Sequence, residues 1–192
     1  MEILEKLFGS TVKVKIMRLF LFSPDQVFET TEIVRKSKST PTIVRRELGV
    51  LEKMHMIKRR SARGSRGSAW ALNPTFPYLH QLQNLLINIS PVNHLEVVKR
   101  LGRAGRVKAL ILSGVFIQYW ESRIDMMIVG DNLKKSTIDN IVKNLESEIG
   151  KELNYTVLDT VDFKYRIGVQ DRLVRDMLDY PHEVVLDRLG VL

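Results

Sequence analysis

Between residues 39 and 72 a helix with a well-marked start runs directly into a hairpin. Ser39 or Thr40 can accept a backbone N–H as an N-cap, and Pro41 suits the first helical position, where its missing N–H would have no partner anyway. Ile43, Val44, Leu48 and Leu51 then recur at three- and four-residue spacing, which predicts one buried face. Thr42, Arg45, Arg46 and Lys53 lie mainly off that face, toward solvent or a partner. Residues 56–62 and 68–72 read as strands flanking Arg63-Gly64-Ser65-Arg66-Gly67. Its glycines supply the backbone angles of a turn, and its arginines make the tip cationic.

The preceding segments fit this helix and hairpin. Ser10 is a candidate N-cap for a helix carrying Val12, Val14, Ile16, Met17, Leu19, Phe20 and Leu21, which Ser23-Pro24-Asp25 ends because proline cannot continue the ladder. Val27-Phe28 is a short extended stub, Thr30 or Thr31 can cap a brief second helix bearing Ile33 and Val34, and Lys36-Ser37-Lys38 makes the turn. Three helices and a basic hairpin in this order resemble the winged helix-turn-helix of prokaryotic transcription regulators, over roughly residues 8–75.

An α-helix fits the major groove of B-DNA, where side chains from its N-terminal part reach base edges. The resemblance therefore places Thr40, Thr42, Arg45 and Arg46 at the bases, where an arginine bidentate to guanine contributes about 1–3 kcal/mol of discrimination. Arg63 and Arg66 on the wing would meet the backbone or the adjacent minor groove. Lys36, Lys38, Lys58, Arg59 and Arg60 suit phosphate contacts, which add affinity without sequence information.

Charge points the same way. The chain has 192 residues and a net charge of +8, and residues 1–89 hold 15 Lys and Arg against 7 Asp and Glu, so the entire excess lies in that half. Segregated positive charge of this kind suits a polyanion. The absence of cysteine excludes a disulfide framework, thiolate metal sites and cysteine nucleophiles. An apolar fraction of 44% and a charged fraction of 27% are those of a folded globular chain. No stretch has the length and apolarity of a membrane span, and the charged first twenty residues do not form a signal peptide, so a soluble cytoplasmic protein is expected.

After Pro74 and Pro77, Leu79, Leu82, Leu85, Leu86 and Ile89 form an amphipathic stripe. Such a stripe serves either as intrachain core or brace, or as a helix that pairs with its twin in a dimer. Ser90-Pro91 marks a boundary, and a neutral half follows. It carries a helix at 95–101, strands at 107–112, 123–130 and 153–158, a long helix from about Asn132, two shorter helices at 161–167 and 171–179, and an extended end at 183–186.

Strand, Ser113-Gly114 turn, Ser-x-x-Asp strand, helix and strand resemble the minimal nucleotidyltransferase domain of the DNA polymerase beta superfamily. In active members a Gly-Ser turn cradles the triphosphate, and three carboxylates hold two Mg²⁺ ions for phosphoryl transfer. Here the turn is reversed, the first metal-binding Asp position is Arg123, the second is Asp125, and the third falls near the neutral Asn154. Glu121, Asp159 and Asp162 are nearby but off the family spacing. The resemblance thus implies a domain without nucleotidyl transfer. Ser113, Gly114, Arg123 and Asp125 form a candidate anion pocket, unless Arg123 and Asp125 simply pair. His55, His80, His94 and His182 are scattered, so neither a metal nor a cofactor is expected.

The expected architecture is α+β, with a winged helix-turn-helix over 1–78, a linker or dimerisation helix over 79–90, and a degenerate nucleotidyltransferase-like α/β domain over 91–192. The expected role is a DNA-binding transcription regulator rather than an enzyme. Its expected partners are double-stranded DNA, a second copy of the chain, and a nucleotide or protein at the second domain. Alternatives are an active nucleotidyltransferase and an antitoxin-like module of a toxin–antitoxin pair.

Overall fold

Burial of four short apolar stripes against one another organises the N-terminal part of this mixed α+β chain. The computed structural model describes residues 3–60, 68–87 and 92–191. The chain divides into two compact units, Met1–Pro91 with Glu146–Lys151, and Val92–Leu145 with Glu152–Leu192. Residues 146–151, which the sequence reading places in the second domain, group with the first unit.

The first unit runs α1 (Ile3–Phe8), α2 (Thr11–Phe22), β1 (Val27–Glu29), α3 (Thr30–Ser37), α4 (Pro41–Lys53), β2 (Ile57–Arg60), β3 (Ala69–Leu72) and α5 (Leu79–Leu86). Ser10 caps α2 by accepting the Lys13 N–H, and Thr40 caps α4 by accepting that of Ile43. The expected cap of α3 by Thr30 or Thr31 does not form; Glu29 stands at the cap position without a side-chain bond. The Thr30 hydroxyl serves the sheet instead, donating to the Ser68 carbonyl and accepting the Trp70 indole N–H. The turn expected over residues 36–38 begins only after Ser37. Lys38 adopts a left-handed conformation with φ 50°, and its N–H returns to the carbonyls of Arg35 and Val34.

β1, β3 and β2 form an antiparallel sheet in that order, with Phe28 and Arg59 both opposite Trp70. Under the sheet, Val14, Met17 and Phe20 of α2, Ile33 of α3 and Val44, Leu48 and Leu51 of α4 share one core. Full burial of each such aliphatic side chain contributes about 1.5–3 kcal/mol. The unforeseen α1 adds Leu4 to this core. Of the stripe expected over 79–89, Leu86 is fully buried in this core and Leu79, Leu82 and Leu85 pack at its margin, while Ile89 lies outside the described residues. The expected strand residues Ser61 and Ala62 and the whole turn 63–67 lie outside the described residues.

The second unit contains α6 (His94–Leu101), β4 (Arg106–Leu112), β5 (Met126–Asp131), α7 (Lys135–Ile149), β6 (Tyr155–Leu158), α8 (Thr160–Gly168), α9 (Arg172–Leu178) and β7 (Glu183–Asp187). The last turn of α7 is the part counted with the first unit. The sheet order is β6-β5-β4-β7, antiparallel except where β6 runs parallel to β5. Ala109 and Ile111 of β4 and Met127 and Val129 of β5 face a core closed by Phe163 of α8 and Val174 and Met177 of α9. Residues between and beyond them, including Leu110, Leu112, Met126 and Ile128, are also buried, so this sheet is covered on both faces. The strand expected from Arg123 starts only at Met126, because Asp125 and its neighbours form the loop that enters it.

Candidate functional site

Helix α4 separates two populations of side chains. Val44, Glu47, Leu48 and Leu51 are buried, whereas Thr40, Thr42, Arg45 and Arg46 are all exposed around its capped first turns. Arg45 makes no ion pair among the described residues. Arg46 does: its Nε and Nη2 both donate to one carboxylate oxygen of Glu47, at 3.3 and 2.7 Å, while 69% of the Arg46 side chain stays exposed.

Glu47 is itself a buried polar residue. The same oxygen accepts the Ser10 hydroxyl at 3.0 Å, and Lys13 stands 3.7 Å from the other. Burial pushes the Glu47 carboxyl up, but the Arg46 and Ser10 hydrogen bonds and the charges of Lys13 and Arg46 outweigh it, leaving the group below its ordinary value. A charge at position 47, three residues after Val44 and four before Leu51, interrupts the apolar stripe, and that signal was open to sequence reasoning. Arg18, within the apolar run of α2, is a second case. Only 2% exposed, it donates through Nε to the Leu86 carbonyl at 3.0 Å and through Nη1 to the Glu148 carbonyl at 2.9 Å. Both carbonyls lie at helix C-termini within the first unit, where a cation is favoured.

The remaining basic side chains differ in how they are used. Lys38 and Arg60 are exposed, Lys58 is half-buried, and Lys36 lies 3.9 Å from Glu32 one turn earlier on α3. Arg59 is held on the protein: its Nε is 2.9 Å from Glu52, and its guanidinium lies 5.2 Å from the centre of the Trp70 ring. Arg59 thus links β2 to β3 while 65% of its side chain stays exposed, which leaves it available to a phosphate. Arg63 and Arg66 lie outside the described residues.

In the second unit, three of the four pocket residues come together and the fourth does not join them. The Ser113 hydroxyl is directed to the Pro181 carbonyl at 2.7 Å. Gly114 has φ +55°, and a side chain there would strike the Asp125 carboxylate. Asp125, 2% exposed, accepts the Val115 N–H at 3.0 Å on one oxygen and the Asn154 N–H at 2.9 Å on the other. Arg123 reaches out to Asp176 of α9 at 3.4 Å, so the expected Arg123–Asp125 pair is replaced by one with Asp176. The other nearby carboxylates have local tasks. Glu121 accepts the Tyr119 hydroxyl, Asp159 caps α8, and Asp162 pairs with Arg166.

His94 Nδ1 is 2.9 Å from the Glu183 carboxylate, and its ring meets that of Phe116 edge-on. An open cleft of about 340 Å³ between α8 and α9 is floored by Ile167, Val174 and Leu178 and rimmed by Arg166 and Arg175. Both arginines are already engaged by carboxylates, Arg166 by Asp162 and Asp171 and Arg175 by Asp179.

No protein-family model matches the chain, and no curated protein matches it. Among solved structures, a Cys-to-Ser variant of ZitR from Lactococcus lactis is similar at 20% identity and a TM-score of 0.35, covering 49% of this chain and 60% of ZitR. A doubly substituted ZitR variant in its apo form gives 19% identity and a TM-score of 0.34, over 51% of this chain and 72% of that one. Among the described residues no helix is long and apolar enough to cross a membrane.

Proposed function

We propose that the chain is a DNA-binding transcription regulator whose first unit is a winged helix-turn-helix, with α4 as the helix that enters the major groove. The observation that carries this reading is the face of α4. Thr42, Arg45 and Arg46 project from an N-terminal turn fixed by Thr40 and Pro41, and Leu48 and Leu51 anchor the opposite side. Lys36 and Lys38, from the preceding helix and turn, and Lys58 and Arg60, from β2, are suited to the phosphates. Arg63 and Arg66, which lie outside the described residues, add two further cations to the sequence between β2 and β3. The net charge of +8 held within residues 1–89 supplies the long-range attraction.

The second unit is read as a nucleotidyltransferase-like fold that performs no transfer and serves dimerisation or the binding of a nucleotide or protein. What supports a non-catalytic reading is the use made of Asp125. Two-metal transfer needs clustered carboxylates facing the substrate, and both oxygens of this one accept backbone N–H groups in the interior. A dimer would give the symmetric partner that a palindromic operator requires.

The test is enrichment of random duplexes by the purified protein near physiological salt, followed by titration of the winning sequence with Arg45→Ala and Arg46→Ala variants. A recurrent motif is expected, with each variant losing affinity for it. An unenriched pool, or variants with unchanged affinity and salt dependence, would refute the assignment of α4.

A further inference from the structure

The guanidinium of Arg46 is fixed from behind. Neighbouring helix positions do not face each other, so Arg46 and Glu47 meet only because the arginine folds back over the helix. It does so toward a carboxylate that is buried and held on its far side. Glu47 is buried, and the Ser10 hydroxyl at 3.0 Å and Lys13 at 3.7 Å tie it to the first turn of α2. The contact uses Nε and one hydrogen of Nη2. An arginine carries five N–H donors, so the Nη1 amine and the outer hydrogen of Nη2 remain as a fork. That fork is the geometry that matches the O6 and N7 acceptors of guanine, or two phosphate oxygens. Arg45, one position earlier and equally exposed, has no such brace among the described residues.

We infer that Glu47 is a positioning residue for DNA reading: anchored to α2 through Ser10 and Lys13, it presets Arg46 so that its outer fork takes the O6 and N7 acceptors of one guanine. The inference rests on the reading of α4 as the recognition helix. It also divides the two arginines. Arg46 is preordered and confers discrimination, whereas Arg45 is a mobile cation that adds affinity.

The experiment compares wild type, Glu47→Gln, Arg46→Ala and the double variant, each bound to the enriched duplex and to a scrambled one. Glu47→Gln keeps shape and one acceptor but removes the charge. The expected result is a fall of roughly tenfold in the ratio of specific to non-specific affinity, within the range of one bidentate base contact. Non-specific affinity should be unchanged or higher, and in the Arg46→Ala background Glu47→Gln should change the ratio no further. A merely structural Glu47 would instead lower both affinities together. Because Glu47→Gln can fail to fold, the wild-type protein is also studied by ¹⁵N NMR, where the Arg46 Nε–H, assigned by its loss in Arg46→Lys, should exchange slowly with solvent.

An Arg46 Nε–H exchanging as fast as that of a free arginine overturns the proposal. A folded Glu47→Gln with the wild-type ratio overturns it too, leaving the DNA reading intact. A wild-type chain with no preferred duplex refutes the DNA reading itself, and the role of Glu47 falls with it.

Discussion

Replacing Asp125 by asparagine changes one oxygen into an amine and little else, which makes it a sharp test of what this buried group does. In the native unit both carboxylate oxygens accept backbone N–H groups, from Val115 at 3.0 Å and Asn154 at 2.9 Å. Asparagine can keep one of these bonds through its carbonyl. Its NH₂ must then face the other N–H, so one charge-assisted bond is lost and a buried donor meets a donor. A bond to a charged group contributes about 1.5–3 kcal/mol, and an unsatisfied buried group costs about 1–3 kcal/mol. The two overlap, so the net expectation is a loss of about 3 kcal/mol. For a unit of this size that lowers the melting temperature by roughly 10 °C or more.

The chain has two tryptophans, Trp70 in the first unit and Trp120 in the second. Urea unfolding followed by fluorescence in a Trp70→Phe background therefore reports the second unit alone. A midpoint equivalent to within about 0.5 kcal/mol of the reference would refute the reasoning, since surface changes have effects of that size. A gain in stability would refute it more strongly, because carboxylates held in place for a ligand destabilise the free protein, and removing one relieves that cost.

Three other perturbations follow from the same geometry. Gly114→Ala places a methyl group on the Asp125 carboxylate at a left-handed position and should cost at least about 2 kcal/mol in the same assay, with less than additive loss when combined with Asp125→Asn. Arg18→Met removes two charged donors from the Leu86 and Glu148 carbonyls while relieving the desolvation of a buried guanidinium. A net loss of about 2–4 kcal/mol is expected, read by Trp70 fluorescence in a Trp120→Phe background, and an unchanged midpoint would contradict it. The Asp131 carboxyl, hydrogen-bonded by Lys108 and Thr160, is held down to about 2 from its ordinary 3.8. Its contribution to stability is therefore complete above about pH 4 and disappears as pH falls through about 2. An NMR titration should show this, and Lys108→Met should raise the midpoint.

Much of the fold was legible because the signals were local. Ser10 caps α2, Thr40 with Pro41 opens α4, and the apolar spacing of Val44, Leu48 and Leu51 marks the buried face. Strands β2 and β3 lie within the expected hairpin arms, and the element order of the second unit follows the sequence reading. What escaped were choices made between distant residues. Thr30 had the composition of a helix cap, but a carbonyl at Ser68 and an indole at Trp70 compete for its hydroxyl. Arg59 reads as one more cation in a basic strand until the register sets it opposite Trp70. Asp125 resembles a metal-binding position in sequence alone, yet in the structure its two oxygens accept the Val115 and Asn154 N–H groups, contacts that no local pattern announces. The buried ions Glu47 and Arg18 interrupt apolar stripes, so their positions were visible although their partners were not.

The return of residues 146–151 to the first unit has a consequence for how this chain is made. A ribosome delivers α1 to α5 early, then the whole of residues 92–145, and only afterwards the segment that supplies the Glu148 carbonyl to Arg18 and the Ser147 hydroxyl to Lys15. Domains generally fold in the order of their synthesis, but here the first to emerge is the one that must wait. A fragment ending at residue 91 would lack both the Glu148 acceptor of Arg18 and the Gly150 backbone packed against it, so cutting between the units does not release the first one whole.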